Sequence, residues 1–394
     1  MTPKSKIMTR KSTLSRAVEI TLPVFGIWPG GLCVIICRVF WVVTVAFILL
    51  CHYRYFMSHL NAESFYDLVD CMSSFLAYVK SIMKFIMFWI NQGKLMETLT
   101  LMADDWSDHA NNTVASMRVM GRKAKTSNRI TNTILTLHIA TIIGYCTGLL
   151  IADVDVTDET IEVPYINKLD FPFPINTQLM YRFVLIAEYV HMIIINWGAG
   201  LANAVLLTMV LHITGQIDIL VYWVSEFASE SLGSERESIA KSARKIIQKH
   251  QRIIYFSENI EILYKYMTLC LFASNLILMC LLGFTIITAI GSPNAAEQIL
   301  RSILFYTITN LEAFLFCFAG EYLSNKSTLV GIGAYNTAWY NLHPKDGRVL
   351  LFLMLRSQKQ LTLTVGKMMD LSLESFTNIM KASGSYLSVL LAMQ

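Results

Sequence analysis

LCVIICRVFWVVTVAFILLC (32–51) is a run of apolar residues broken by a single charge, Arg38, and its reading decides the fold. The hydrocarbon core of a bilayer takes about 20 such residues in one helix. Six further windows of comparable character follow at 68–90, 130–151, 179–211, 266–290, 299–323 and 372–393. The window 179–211 is too long for one crossing, so its end is expected to continue into the cytosol. The whole chain agrees with this reading. Of 394 residues 54% are hydrophobic and 15% charged, and the mean hydropathy is +0.49. Soluble domains carry ~25% charged residues, so too little polar surface is available here for a soluble globule. So much apolar surface also excludes intrinsic disorder. The expected fold is an all-α membrane protein with seven transmembrane helices.

The flanking charges orient the bundle, because Lys and Arg in short loops collect on the cytosolic side. Segments 1–31, 91–129, 212–265 and 324–371 hold 24 of these residues. The alternate loops hold two, Arg54 and Lys168, and the remaining six lie inside the windows. The N-terminus is therefore expected in the cytosol and the C-terminus outside. Seven-helix receptors coupled to G proteins run the other way, and neither a DRY after the third window nor an NPxxY in the seventh is present. The sequons at Asn111 and Asn325 fall on the cytosolic side, where no glycosylation is expected. The basic start, MTPKSKIMTRKSTLSR (1–16), lacks the apolar core of a signal peptide.

Four segments result: a cytosolic N-terminal stretch (1–31), spans 1–6 (32–323), a cytosolic helical anchor region (324–371) and span 7 (372–394). AVEITLPVFGIWPGG (17–31) reads as an amphipathic or re-entrant lead-in. Loop 152–178 is acidic, has FPFP at 171–174, and reads as an ordered lid rather than a helix. In 236–265, Ile239, Ala243, Ile246, Ile247, Ile253 and Ile254 recur at helical spacing. The run VLLFLMLRSQKQLTLTVGK (349–367) is too short to span and reads as a helix beneath the membrane, at a subunit contact. No internal repeat supports an inverted-repeat transporter.

Enzyme chemistry finds no foothold. HExxH, P-loop, GxSxG and CxxC patterns are absent, and the eight histidines are scattered. No cofactor, metal or nucleic-acid partner is expected. Asp104–Asp105 beside Trp106 reads as a solvated helix face. The eight cysteines read as small core hydrophobes, with pairing of Cys51 and Cys71 the exception to examine. Charges inside spans are costly and so mark function by default. Glu188 and His191, at i and i+3, read as a pair; Arg182 and Arg301 as snorkelling; Lys80 and Lys84 as marking the exit of span 2 to the cytosol. In span 7, Ala382, Ser385, Tyr386, Val389 and Met393 share one helix face. The face suits a pore lining with an apolar constriction, and it suits ordinary packing against other spans as well. Lys381 fits a cation path poorly and is expected to snorkel or point away from the axis.

FGIWPG (25–30), WYNL (339–342) and LTLTVGKMMDLSLESFTNIMKASGSYLSVL (361–390) carry a more specific signal. A Trp-Tyr pair, a Gly-Lys, Ser-Leu-Glu-x-Phe and Ser-Tyr-x-x-Val-Leu resemble the insect odorant receptors, whose length and reversed topology also agree. The resemblance implies a ligand-gated, non-selective cation channel and a heterotetramer of odour-tuning and olfactory co-receptor subunits, without a G protein. It implies a place in the plasma membrane of the olfactory sensory neuron dendrite. Loop 212–265 lacks the co-receptor's extension, so the chain resembles a tuning subunit. The family's apolar gate aligns with Val389 and Met393. A pocket for a small volatile organic ligand is then expected in the outer half of the bundle. Its candidates are Phe75, Tyr78, Tyr145, Leu149, Tyr181, Met192, Ile195, Phe305, Tyr306 and Thr309. A gustatory-type receptor channel working without co-receptor, and a membrane transporter, are the alternatives.

Overall fold

The computed structural model describes residues 13–28, 32–60, 65–110, 113–151, 164–230, 236–290 and 295–392. A short helix α1 (Arg16–Thr21) precedes α2 (Leu32–Ser58), α3 (Phe65–Ile90), α4 (Gln92–Ala110), α5 (Val114–Ile151), α6 (Gln178–Glu230), α7 (Arg236–Thr288) and α8 (Ala295–Tyr335). A 3-10 turn (Trp339–Asn341), α9 (Pro344–Ser357), strands β1 (Thr364–Val365) and β2 (Met369–Asp370), and α10 (Leu373–Ala392) complete it. Helices α2, α3, α5, α6, α7 and α8 are long and apolar enough to cross a membrane. The seventh window becomes α10, whose 20 residues rise about 30 Å.

The long cytosolic "loops" are not separate pieces. The 53 residues of α6 and the 53 of α7 each run unbroken through a window and its polar neighbour. In the lower part of α7, Ile239, Ile246, Ile253 and Ile260 are buried at seven-residue intervals, which keeps one face on its neighbours. Ile247 points outward. The segment with Pro164 and FPFP marks the upper end of the bundle; α4, the foot of α7 and α9 form the lower end.

The axis of the molecule is α6, in which every residue from 198 to 217 is buried. It packs most extensively on α5, then on α8 and α7. Small side chains permit that closeness, as in membrane bundles generally. A Cβ added at Gly198 would stand 2.4 Å from the Phe85 ring and 2.6 Å from Phe25. By contrast α2 presents Ile35, Ile36, Val39, Phe40 and Val43 outward, as a lipid-facing helix does. The lead-in segment is amphipathic as expected: Val18, Leu22, Phe25 and Ile27 are buried, Ile20 and Val24 exposed.

At the lower end, one acid corrects the solvated-face reading. Asp105 is 3% exposed. It accepts from Arg252 Nε at 2.9 Å and Lys249 Nζ at 3.3 Å, and meets His212 Nε2 at 3.1 Å. His212 Nδ1 meets Thr13 Oγ1 at 3.0 Å, and Trp106 donates to that hydroxyl at 2.9 Å. Burial pushes the Asp105 carboxyl up, but the His212 hydrogen bond and the two cations more than offset it and hold it below the usual carboxylate range. The hub binds the N-terminal segment, α4, α6 and α7 together.

The hairpin at 364–370 was not expected. Thr364 pairs with Asp370 and Val365 with Met369. The turn between them places Gly366 at φ +58 and Lys367 at φ +63, the pair of left-handed positions of a type I′ turn. Gly366 N–H donates to Lys265 O at 2.8 Å, so the Gly-Lys signature is a turn docked on α7. It aims the chain into α10.

Candidate functional site

Tyr78 and Ser81 on α3, Tyr145 on α5, Met192 and Ile195 on α6, and Phe305 on α8 line a cavity of ≈ 60 Å³ in the upper half of the bundle. Of the expected ligand residues, Tyr78, Tyr145, Met192, Ile195 and Phe305 thus meet. The others go elsewhere. Leu149 lines a larger upper cavity of ≈ 560 Å³. Phe75 packs edge-on against His52 with ring centroids 6.3 Å apart. Tyr181 pins the upper segment, donating to Pro164 O at 2.7 Å. Tyr306 is half-buried away from the cavity, and its carbonyl accepts from Asn310 Nδ2 at 2.9 Å. Thr309 is buried, and its hydroxyl has no hydrogen-bond partner among the described residues.

Several lining residues were missed that periodicity could have reached. Ser74, Ala77 and Ser81 share the α3 face of Tyr78. Thr141 lies one turn before Tyr145, and Asn196 one turn after Met192. Asn167, from the non-helical upper segment, lines both cavities and carries no periodic signal at all.

That upper segment, 164–177, is an ordered lid; residues 152–163, which carry most of the acidic side chains, lie outside the described residues. Glu188 fastens it. Its carboxylate, 4% exposed, accepts from Asn167 N–H at 2.8 Å, Asn167 Nδ2 at 2.8 Å and Ile166 N–H at 3.2 Å. Arg301 does not snorkel. It donates to Ile166 O at 2.6 Å and lies 4.3 Å over the Tyr145 ring. Ion pairs Lys168–Asp67 (2.7 Å) and Arg54–Asp170 (3.3 Å) hold the rim. Aromatic contacts Tyr165–Phe171 (5.1 Å) and Phe171–Phe173 (5.6 Å) stiffen it.

The expected Glu188–His191 pair does not form; the Glu188 carboxylate is turned to the lid. His191 instead stacks on Tyr78 at 5.8 Å, and both its ring nitrogens are without partners among the described residues. Cys51 and Cys71 are buried free thiols. Arg182 is exposed.

Lys80 and Lys84 correct another expectation. They do not mark an exit; both turn inward onto Glu312 of α8. Lys80 Nζ meets Glu312 Oε2 at 2.7 Å and Asn275 Oδ1 at 3.1 Å. Lys84 Nζ bonds the other carboxylate oxygen. Pairing is what makes charges tolerable in a bundle interior.

On α10, Ser383 is buried and its carbonyl accepts from Cys280 Sγ at 3.5 Å. The opposite face is uncovered: Ser385 is exposed, Tyr386 58% exposed and Val389 59%, with Ala382 half-buried at its margin. Lys381 is exposed one turn before Ser385. Met393 lies outside the described residues.

The family profile described as 7tm Odorant receptor matches residues 64–384, from the start of α3 into α10. The chain belongs to that family. Odorant receptor 10 of Aedes albopictus is 29% identical over 162 residues, 41% of this chain and 42% of that one. Odorant receptor 13a of Drosophila melanogaster is 27% identical over 188 residues, 45% of this chain and 44% of that one. The matched stretch thus spans less than half the length of these curated relatives. The fold is similar to the insect olfactory receptor OR5 from Machilis hrabei, solved in complex with eugenol, at TM-score 0.77. That likeness covers 96% of this chain and 97% of the other at 15% identity, and so speaks for the fold alone. As an odorant receptor the chain is a multi-span membrane protein with a seven-helix fold, α10 being its seventh helix, and its family is one of receptors rather than enzymes.

Proposed function

We propose that this odorant receptor is a tuning subunit which, assembled with an olfactory co-receptor, forms an odorant-gated, non-selective cation channel in the sensory neuron's plasma membrane. The observation that carries the reading is the apolar and aromatic cavity beneath a fastened lid. Apolar walls with a few placed polar groups are what a small volatile ligand requires. The loop charges put the lid outside and both long helical feet in the cytosol. At ≈ 60 Å³ the cavity is small, and the adaptable side chain of Met192 on its wall gives it room to fit a ligand. The uncovered face of α10, with Ser385 and Val389, is suited to a central axis shared with other subunits. The solved eugenol complex of a receptor with this fold accords with a ligand in the bundle. Ligand binding opens the channel only insofar as the open state binds it more tightly.

Whole-cell currents evoked by an odour panel, with and without co-receptor, test the assembly. Current only with co-receptor is expected. Autonomous current would make the chain a gustatory-type channel, and saturable uptake without current a transporter.

A further inference from the structure

The serine and threonine hydroxyls of the cavity are already engaged, and both lining asparagines are tied through their amide nitrogens. Ser81 donates to Ala77 O at 2.9 Å, and Thr141 to Leu137 O at 2.8 Å. The Ser74 hydroxyl lies 3.0 Å from Cys71 O and from His52 Nε2. Asn196 Nδ2 donates to Met192 O at 3.0 Å, and Asn167 Nδ2 to Glu188 at 2.8 Å. Tyr145 is covered by Arg301. One lining hydroxyl differs. Tyr78 is 5% exposed, its ring is held between His52 at 5.6 Å and His191 at 5.8 Å, and its oxygen has no partner among the described residues. A buried hydroxyl without a partner is costly and is rarely left so. Among the described residues no lysine, arginine, aspartate or glutamate lines the cavity. A charged ligand would go uncompensated there.

We infer that the Tyr78 hydroxyl is the polar reader of this pocket. The ligand class is a neutral oxygenated volatile, a ketone, ester, aldehyde or ether with one accessible acceptor oxygen on an apolar frame. The inference rests on the receptor reading above and adds the chemistry that the site selects. The Tyr78 O–H donates to the ligand oxygen, while Ile142, Ile195, Phe305 and Ile308 hold the hydrocarbon part. A site built to hydrogen-bond a ligand discriminates sharply against the analogue lacking that atom.

The test compares a homologous series of methyl ketones with the alkenes in which C=CH2 replaces C=O, beside the matching carboxylic acids and amines. The full-length receptor with co-receptor is used, with wild type and Tyr78→Phe. On wild type the best ketone is expected to be about tenfold more potent than its alkene, a gap of the size one hydrogen bond supplies. In Tyr78→Phe, at unchanged surface expression, the gap closes to about twofold while alkene potency stays the same. Thermal stabilisation of the purified chain by ketone and by alkene gives a second readout that needs no current. If no current appears but ketones stabilise more than alkenes, and Tyr78→Phe removes the difference, the channel reading falls and this inference stands. A gap that survives Tyr78→Phe, ketones no better than alkenes in the wild type, or an acid or amine as the best ligand overturns it.

Discussion

The lid over the pocket and the foot of α10 pose the same physical problem, an irregular stretch of chain that must be held still, and they meet it differently. At the lid the central carboxylate is buried: Glu188 takes two backbone amides and a side-chain amide in a dry setting, beside the bonds from Arg301 and Tyr181 and the rim ion pairs. At the foot the work is divided. Glu261 accepts Thr364 N–H at 2.8 Å, Glu321 accepts Leu373 N–H at 2.7 Å, Thr268 donates to Thr364 O at 2.9 Å, and the Gly366 turn docks on Lys265. Glu261 and Glu321 are only half-buried. Charge-assisted hydrogen bonds strengthen as water is removed. Removing the charge from a tie buried in the bundle therefore costs more than removing it from a tie that stands half in water.

Substitutions at three carboxylates sharpen this contrast, and the largest effect is expected away from both regions. Glu312→Leu strands Lys80 and Lys84 in the bundle, which should cost about 3–5 kcal/mol. Surface expression should collapse, while Lys84→Met, which leaves Lys80 paired with Glu312, should be much milder. Equal expression of the two variants would show that the triad is no structural knot. Next comes Glu188→Gln. Losing the charge from its hydrogen bonds is worth about 1.5–3 kcal/mol, read as ligand washout at least about tenfold faster. Unchanged washout would mean that the rim ion pairs hold the lid without it. Smallest is Glu261→Gln at the foot, about 1 kcal/mol or less, seen as a shift of half-maximal concentration within about fivefold. A shift as large as that of Glu188→Gln would abolish the distinction between buried and half-buried anchoring.

What could be read ahead of the structure follows the range of the interaction. Membrane helices announce themselves locally, and nearly all the described residues of the seven windows lie on helices. Their continuations were harder to see, because α7 below residue 266 swaps an apolar code for a seven-residue spacing of isoleucines. The polar residues misled for one reason. Lys80, Lys84 and Asp105 take their meaning from Glu312, His212 and Lys249, more than a hundred residues away in chain. Glu188 and His191 had the right spacing to pair, but Asn167 arrives from a loop and takes the carboxylate. The two-residue strands after α9 are too short to show alternation, although Gly366 marks the turn between them. On the pocket wall Tyr78 was legible as an aromatic in the upper half of a span. That its hydroxyl lacks a partner is a property of the packed bundle alone.

Helix α7 has a last consequence. Its 53 residues form a shaft about 80 Å long, touching Lys80 through Asn275 near the pocket and Asp105 through Lys249 and Arg252 at the far end. Swung about one tip by about 1°, a shaft of that length carries the other through about 1.4 Å. Leverage of that kind turns a rearrangement no larger than a rotated methionine at one end into a displacement of an ångström or more at the other.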